Sequence, residues 1–349
     1  MQSLNNYNYP FLSKYLHKFL LNSNELLKVF FEIEKKILLK RANENETSSL
    51  FITGLARSGS TILLNTLYEK NYFASLRYID MPFITSPNLW SKISIFKKKR
   101  KIKERVHNDG ISIDYSSPEA FEEVFWKSQL NFNFKSKLMH DPNHYSNQVI
   151  NNFKAYMKLV CFKENKNIYL SKNNNNIIRI NTLLESIKKK KIIILFRFPF
   201  DQCYSLWQQH RNFIKLQKKN NFILQYMNML SHYEFGLNHK PILLSEFKPF
   251  HSADDLNYWL EYWIMIYSNL THIAKKNNKD VIFLSYEKLA LSPERFIKKI
   301  FKILNIDLKE NKNKIYNKEK NFSKIEVKKH ILEKANDLYN NLKKFEIEF

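Results

Sequence analysis

The sequence predicts an α/β fold of three layers, in which helices cover both faces of a central parallel sheet. Short apolar runs alternate with longer helical segments, which is typical of parallel strands joined by crossover helices. The clearest strand is Lys191–Phe196 (KIIILF), apolar on both faces as a buried central strand should be. A second strand, Leu50–Thr53, leads into the loop Gly54–Ser60, and an apolar helix follows from Thr61 to about Tyr68.

The other elements are predicted from hydrophobic periodicity and from residues typical of helix ends. Residues 10–42 are predicted to form one amphipathic helix. Its polar face mixes both charge signs, so we expect it to pack on the domain rather than on a membrane surface. The remaining predictions are a helix that opens at Ser116–Pro118, strands at Ile168–Leu170 and Val281–Leu284, a turn at Asn173–Asn176, a helix capped by Asp201, an aromatic helix at 254–275 and a charged helical tail.

The chain is strongly basic, with 57 Lys and Arg against 33 Asp and Glu and a formal net charge of +24. Only nine of the basic residues are arginine, the residue that forks onto phosphates and guanine bases. We therefore expect no nucleic-acid partner, and we interpret the basic run Lys97–Lys103 as a solvated face. A positive field still speeds the encounter with any anionic ligand, whether a nucleotide or an acidic glycan.

The two cysteines, Cys161 and Cys203, are isolated from each other in the sequence. This spacing excludes a disulfide framework and a thiolate metal cluster, and it fits a reducing compartment. No segment approaches the ~20 consecutive apolar residues that a membrane span needs. The N-terminus also lacks the apolar run of a signal peptide. We therefore expect a soluble cytoplasmic protein with no membrane span.

The most informative segment is the strand, loop and helix around residues 50–68, which are typical of an anion site. Backbone N–H groups of such a loop and of the helix N-terminus converge on one point. Gly54 and Gly59 have the spacing of GxxxxGK[ST], with Thr61 in the hydroxyl position. Ser60 stands where a nucleoside-triphosphate loop carries lysine, and the positive charge lies at Arg57 instead.

The missing lysine bears on the chemistry. A nucleoside-triphosphate site neutralises a highly charged γ-phosphoryl group with lysine and Mg²⁺. A phosphosulfate carries less charge on the transferred group, so backbone donors and one or two cations suffice. We therefore expect a P-loop-type fold with helical insertions and no bound metal.

The segment Gly54–Thr61 (GLARSGST) resembles the 5′-phosphosulfate loop of the sulfotransferase family that uses 3′-phosphoadenosine 5′-phosphosulfate (PAPS), in particular its bacterial-like cytosolic members. That loop commonly has the sequence GxPRSGTT. The resemblance implies that the 5′-phosphosulfate is bound by Arg57, Ser58, Gly59, Ser60 and Thr61.

The family's second motif, a strand followed by RDPRDxxxS, binds the 3′-phosphate. Ile192–Ser205 (IIILFRFPFDQCYS) resembles it, with Arg197 at the strand end and Ser205 eight residues later. Phe198 and Phe200 replace the usual Asp and the second basic residue. The resemblance implies that Arg197 forks onto the phosphate and that Ser205 donates a hydroxyl.

Two further segments are similar to family elements in the right order. Tyr169–Asn173 resembles a W/Y-x-x-K-x-P segment without its proline, which places Lys172 near the transferring sulfate. The segment from Leu284 resembles YEDL-x-x-x-P, in which the tyrosine, here Tyr286, contacts the nucleotide. The resemblance covers roughly residues 48–310. We expect a single domain, 1–349, with an N-terminal helical region (1–47), a nucleotide-binding core (48–310) and a charged helical tail (311–349).

The acid–base group is sought in Val106–Trp126, because an acidic SPEE-like segment of the family subgroup follows the donor loop and faces the acceptor. Glu119 is one candidate base and is expected to share a helix face with Glu123. Glu123 or Glu122 is a second candidate, and His107, oriented by Asp109, is a third. The structural alternatives are that Glu119 caps a helix, that Glu122 and Glu123 lie on a solvated face, and that His107 is a loop residue.

The resemblance thus implies an enzyme that moves a sulfuryl group from PAPS to an acceptor hydroxyl. We expect a carbohydrate acceptor, because residues 97–108 and 131–152 are polar, Asn-rich and basic. The alternative is a P-loop kinase or another nucleotide-binding transferase, and the missing loop lysine argues against it. A nucleic-acid-binding protein rests on charge alone.

Overall fold

The computed structural model describes residues 11–42, 47–93, 103–104, 110–130, 139–140, 145–244, 250–276, 279–308 and 325–349. Its elements, in chain order, are α1 (Phe11–Leu21), α2 (Asn24–Leu38), β1 (Ser48–Thr53), α3 (Ser60–Tyr68), β2 (Phe73–Ala74), α4 (Pro87–Ile93), β3 (Lys103–Glu104), β4 (Ser112–Ile113), α5 (Glu122–Gln129), β5 (Met139–His140), α6 (Asn147–Glu164), β6 (Ile168–Lys172), α7 (Ile180–Ser186), β7 (Lys190–Phe196), α8 (Pro199–Lys219), α9 (Asn221–Met229), β8 (Ile242–Leu243), α10 (Leu256–Lys275), β9 (Val281–Ser285), α11 (Tyr286–Leu291), α12 (Pro293–Ile303) and α13 (Lys329–Lys343).

The main sheet has five strands in the order β2-β6-β1-β7-β9, and all of its neighbouring strands are parallel. β1 therefore lies at the centre, between β6 and β7. Because the strands are parallel, their carboxyl ends meet at one edge of the sheet, where open α/β sheets bind ligands. The segments after β1, β6, β7 and β9 thus lie at the same edge.

Alternate residues of β1 face opposite sides of the sheet and fill two separate cores. Phe51 packs into a large cluster with α2, α5, α6, α8, α10 and α13. Leu50 and Ile52 pack into a second cluster with α3, α11 and α12. Helices thus cover both faces, which confirms the predicted three-layer α/β fold with a central parallel sheet.

The N-terminal prediction was wrong in two respects. The described part of this segment forms two helices, α1 and α2, because the chain breaks after Leu21 and Ser23 caps the second helix by accepting a hydrogen bond from the Leu26 N–H. The predicted apolar face is also largely solvent-facing, and its exposed members are Tyr15, Phe19, Val29, Ile33 and Ile37. The buried face of α2 carries Leu27, Phe31 and Leu38, together with Glu34. Periodicity alone did not distinguish the two apolar faces.

The helix predicted to open at Ser116–Pro118 begins later, at Glu122. Ser116 donates its hydroxyl to Asp114 Oδ1 at 2.6 Å, and Pro118 pairs with Arg77 in an isolated antiparallel bridge. Glu119 therefore precedes the helix and shares no helix face with Glu123. Pro118 thus lies in an extended segment that precedes the helix, and not in the first turn of the helix.

Other elements differ in smaller ways. Asp201 lies in the first turn of α8 but does not cap it, since the cap position is Phe198. The predicted turn after β6 is part of a 3₁₀ helix, Asn174–Arg179. α13, from the predicted tail, packs against α8, α10 and β9, and its Leu342 is fully buried. Among the described residues, no helix has the length and apolar character that crossing a membrane requires.

α5 contributes two glutamates, Glu122 and Glu123, to a buried cluster of polar side chains. Both carboxylate oxygens of Glu123 accept hydrogen bonds from the Arg179 guanidinium at 2.7 Å, and Arg179 is fully buried. Glu122 accepts from the Tyr169 hydroxyl and the Trp126 indole, each at 3.0 Å. The idea that these glutamates lie on a solvated face was therefore wrong.

Because the ion pair is buried, its disruption should destabilise the protein. Glu123→Gln removes the carboxylate that pairs with the Arg179 guanidinium, and breaking a buried pair in this way costs about 3–5 kcal/mol. We expect that loss in the free energy of unfolding measured by urea titration. The exposed Glu185 on α7 provides the control, since Glu185→Gln removes the same charge and should change stability by about 0.5 kcal/mol or less. Equal stability of the two variants would contradict this role of the pair.

Candidate functional site

The loop between β1 and α3 lies very close to its neighbours. Gly54 has φ +135°, and a Cβ there would lie 2.2 Å from the Leu195 carbonyl oxygen of β7. Gly59 has φ +88°, and a Cβ there would lie 2.5 Å from the Tyr286 ring. Arg57 also has a positive φ, +70°. Both glycines are thus required by backbone conformation and by space, and the loop turns sharply against β7 and α11.

Two side chains from the covering helices fix the first half of this loop. The Gln202 carboxamide of α8 donates to the carbonyl oxygens of Leu55 and Ala56, both at 3.1 Å, and accepts from the Trp263 indole at 3.0 Å. The Tyr267 hydroxyl accepts from the Leu55 N–H and donates to the Leu195 carbonyl. Burial raises the pKa of Tyr267 well above its usual value, so this hydroxyl stays protonated. The sequence analysis identified none of these three residues as part of the site.

The loop and the second motif meet directly. Arg57 Nε donates to the Ser205 Oγ at 3.1 Å, although the two residues are 148 positions apart in the chain. Ser205 is buried in the first turns of α8, and Arg57 is half-buried. The structure therefore brings together two residues that the sequence analysis assigned to opposite ends of one nucleotide.

Arg197 lies at the end of β7 and contacts α11. Its guanidinium carbon is 4.8 Å from the centre of the Tyr286 ring, and its Nη2 is 3.4 Å from Asp201 Oδ2. Its Nε atom is shielded from solvent and has no hydrogen-bond partner among the described residues. Burial raises the pKa of Tyr286, although the Arg197 charge opposes this shift. Gly59, Tyr286 and Arg197 thus form a continuous line of contacts.

Two residues close to the C-terminus, Tyr339 and Glu346, contact the residues on either side of Tyr286. Glu287, next to Tyr286, accepts from the Phe198 N–H at 2.9 Å and from the Tyr339 hydroxyl of α13 at 3.0 Å. Glu287 thereby satisfies an amide at the N-terminus of α8, where a carboxylate is favourable. The Ser285 N–H and hydroxyl both donate to Glu346. No local sequence pattern indicated Tyr339 or Glu346.

The polar groups at the loop fit an anion. α3 starts after Gly59 without a side-chain cap, and Ser60 and Thr61 are buried in its first turn. The Ser58 hydroxyl is fully buried and lacks a hydrogen-bond partner among the described residues. Such an orphaned donor is costly unless a ligand pairs with it. A helix N-terminus, an unpaired hydroxyl and two arginines together suit a phosphate or sulfate ester.

Lys172 lies in the strand beside the loop. It ends β6, pairs with Ile52 of β1 in the sheet and is only 9% exposed. The Asn173 N–H then donates to the Ile52 carbonyl at 3.0 Å, so β6 follows β1 up to the start of the loop. Lys172 was expected near the transferring group, and its backbone lies in the strand adjacent to the loop.

The candidate bases are not gathered at one place. Glu119 Oε2 accepts from the Tyr78 hydroxyl at 2.8 Å, and Glu119 Oε1 accepts from the Ala120 N–H. Tyr78 follows β2, the edge strand two places from β1. Glu123 is the partner of Arg179 described above. His107 and Asp109 lie outside the described residues.

The described residues contain no group of three or more His, Cys, Asp and Glu side chains arranged to hold a metal ion.

The contacts of Gln202 lead to a prediction about the loop. Gln202→Leu has similar volume but leaves the Trp263 N–H and two loop carbonyls without their partner. Each buried polar group left unpaired costs about 1–3 kcal/mol, so the free energy of unfolding should fall by at least about 2 kcal/mol. Gln208→Leu, on the same helix and half-buried, is the control. Indistinguishable urea midpoints for the two variants would show that Gln202 does not fix the loop.

The chain was compared with known families, sequences and structures. The sulfotransferase domain family model matches residues 47–344. No curated protein matches the chain at a significant level of sequence similarity.

Among solved structures, sulfotransferase STF1 from Mycobacterium tuberculosis H37Rv is 11% identical, with 86% of this chain and 79% of that chain covered and a TM-score of 0.51. Sulfotransferase STF9 from Mycobacterium avium is 10% identical over 97% and 79% of the two chains, with a TM-score of 0.49. A sulfotransferase from Alicyclobacillus acidocaldarius is 12% identical over 85% and 93%, with a TM-score of 0.39.

The similarity to STF1 identifies the fold as the P-loop type that the sequence predicted. At this identity the likeness concerns the fold alone. The family match covers most of the chain and includes every candidate site residue named above. The chain therefore belongs to the sulfotransferase family.

Proposed function

We propose that this sulfotransferase uses PAPS as its donor and transfers the sulfuryl group to an acceptor hydroxyl. The observation that carries the proposal is the contact of Arg57 with Ser205 at 3.1 Å, which joins the two motifs at one edge of the sheet. A nucleotide with phosphate groups at both its 5′ and 3′ positions needs two adjacent anion sites. Arg57 and Arg197 supply the cations for them.

The donor residues divide by position. The loop residues Arg57, Ser58, Gly59, Ser60 and Thr61 bind the 5′-phosphosulfate, with the Ser58 hydroxyl as an otherwise unpaired donor. Arg197 and Ser205 bind the 3′-phosphate, and Tyr286, held under the Arg197 guanidinium, contacts the nucleotide. Lys172 lies beside the transferring group. Positive charge at Arg57 and Lys172 stabilises the leaving 5′-phosphate as it gains charge in the transition state.

Among the carboxylates proposed from the sequence, the contacts separate Glu119 from its neighbours. Glu123 is neutralised by Arg179, and Glu122 is fixed by buried donors, so neither is suited to accept a proton during turnover. Glu119 is half-buried and accepts hydrogen bonds from the Tyr78 hydroxyl and the Ala120 N–H, both neutral donors. It remains the candidate base of this segment.

The acceptor is proposed to be a carbohydrate. The net charge of +24 favours an anionic partner, and the Asn-rich segments named above favour one with many hydroxyls. The enzyme is proposed to act in the cytoplasm, since Cys161 and Cys203 are both buried and unbridged.

The donor proposal predicts a nucleotide preference. 3′,5′-ADP should bind much more tightly than 5′-AMP, because only the former reaches Arg197 and Ser205. A hydrogen bond to a charged group is worth about 1.5–3 kcal/mol, so Arg197→Ala should remove most of the preference in titration calorimetry. Arg211→Ala is the matched control, because Arg211 lies on α8 against Trp207 and its loss removes the same charge. Equal affinities of the wild-type protein for the two nucleotides would overturn the donor assignment.

The proposal also predicts that the chemical step proceeds without a metal. Arg57 and Lys172 supply positive charge at the transferring group, where a nucleoside-triphosphate enzyme uses Mg²⁺ and a loop lysine. Sulfuryl transfer measured with and without EDTA should therefore proceed at the same rate. An obligatory requirement for Mg²⁺, restored by adding the ion back, would favour a kinase-like enzyme instead.

A further inference from the structure

A small cavity lies directly against the loop between β1 and α3, residues 54–59, which we call the anion loop. Its volume is about 20 Å³, enough for about one water-sized group. Leu55 and Ala56 of the loop form one wall, and Asn174 and Asn175, which follow β6, form another. Glu234 also lines this cavity. The cavity therefore lies between the loop and the segment that continues from Lys172.

Glu234 is held in place by one of these asparagines. Its Oε1 accepts a hydrogen bond from Asn174 Nδ2 at 3.1 Å, and the side chain of Glu234 remains half-exposed. Asn174 is itself fixed, since its carbonyl accepts from the Thr53 hydroxyl at 3.4 Å and its side chain is buried. The Asn174 Oδ1 atom has no hydrogen-bond partner among the described residues. A carboxylate and an unpaired carboxamide oxygen thus converge on the cavity.

A larger pocket lies next to the cavity. Its volume is about 290 Å³, and it shares Lys240 with the small cavity. Tyr233, the residue before Glu234, is also part of its wall. The pocket and the cavity thus have walls formed by the same short segment, residues 233–240.

The lining of the larger pocket indicates the chemistry of its ligand. Among the described residues, no carboxylate lines it. Besides Tyr233, its wall has four carboxamides and two ammonium groups, those of Asn22, Asn24, Asn228, Asn238, Lys127 and Lys240. Carboxamides both donate and accept, which suits neighbouring hydroxyl groups. The Lys240 ammonium suits an acidic substituent, whereas the Lys127 Nζ donates to the carbonyl oxygens of Leu21 and Met229 and adds positive charge behind the wall. The Asn24 Oδ1 atom is shielded and has no hydrogen-bond partner among the described residues. Burial lowers the pKa of Lys127 to about 8, so most of its positive charge persists at neutral pH.

From this geometry we infer that Glu234 is the general base and that the pocket of four asparagines binds the acceptor, a saccharide that carries an acidic group. The inference rests on the proposed donor function. Asn22 and Asn24 precede the region matched by the family model, so the N-terminal helices contribute to acceptor binding in this chain.

The proposed step is an in-line displacement. The Glu234 carboxylate takes the proton of the acceptor hydroxyl while the acceptor oxygen forms a bond to sulfur. The bond between sulfur and the bridging oxygen of the 5′-phosphate breaks, and its electron pair stays on that phosphate. The products are the sulfate ester and 3′,5′-ADP, with the proton held on Glu234 until solvent removes it.

This assignment differs from the one that the sequence favoured. Glu119 contacts Tyr78 in the segment after the edge strand β2, whereas Glu234 lines a cavity whose wall is the anion loop itself. No motif marked Glu234, because it lies between α9 and β8 in a segment that only the fold brings to the loop.

The test compares isosteric variants in single-turnover sulfuryl transfer from radiolabelled PAPS. Glu234→Gln retains an oxygen for the Asn174 bond, so we expect unchanged 3′,5′-ADP affinity and thermal stability. We expect a rate lower by about 10²–10⁴-fold and the loss of the acidic limb of the pH–rate profile. Glu185→Gln, an exposed change of the same charge, should behave as wild type. A near-full rate in Glu234→Gln would overturn the assignment, and a large loss in Glu119→Gln alone would move the base to Glu119.

The acceptor class is tested with three acceptors: a uronic-acid oligosaccharide, its carboxyl-reduced form and a simple phenol. Wild type should sulfate the acidic oligosaccharide best, and Asn24→Ala or Asn228→Ala should raise its KM without changing 3′,5′-ADP affinity. Equal or better use of the phenol, or unchanged KM values in both variants, would overturn the acceptor assignment. Failure of wild type to bind 3′,5′-ADP would instead refute the proposed donor function, so the two failures are distinguishable.

Discussion

The position of the anion loop depends on one buried carboxamide, that of Gln202. Its NH₂ group satisfies two loop carbonyls, and its oxygen satisfies the Trp263 indole of α10. The loop carries two positive-φ glycines and a positive-φ arginine, so it has little intrinsic preference for a single shape. A neutral group that satisfies both carbonyls fixes this shape while adding no charge that would compete with an anion. The contact of Arg57 with Ser205 and the approach of Gly59 to Tyr286 both require the loop to lie where Gln202 holds it.

Much of the fold was predictable because its signals are local. Lys191–Phe196 is apolar on both faces, and only a strand buried between two layers of helices satisfies that pattern. The spacing of Gly54 and Gly59 likewise predicts a strand, a sharp turn and a helix N-terminus, since few other residues adopt those backbone angles. The meeting of loop and second motif followed from the family resemblance together with parallel strand order, and the structure adds the direct contact of Arg57 with Ser205.

The wrong predictions concern properties that the fold as a whole determines. The N-terminal segment has two apolar faces, and only packing against α5, α6 and α9 selects the one with Leu27 and Phe31. The same holds for the acidic segment. In the sequence, Glu122 and Glu123 look like solvent-exposed residues at a helix N-terminus, and only the fold brings Arg179 and Tyr169 to them from distant positions. Gln202, Tyr267 and Glu234 occupy no defined position of a motif. Their importance depends on which backbone groups of distant segments lie beside them.

The central claim is that the two adjacent anion sites hold one sulfuryl donor. Its most direct test is transfer from PAPS labelled in its sulfate group, with simultaneous measurement of label in the acceptor and of 3′,5′-ADP released. The account predicts equal amounts of labelled ester and 3′,5′-ADP, and no transfer of a phosphoryl group when ATP and Mg²⁺ replace PAPS. Phosphoryl transfer from ATP, with no label moved from PAPS to any hydroxyl, would contradict it.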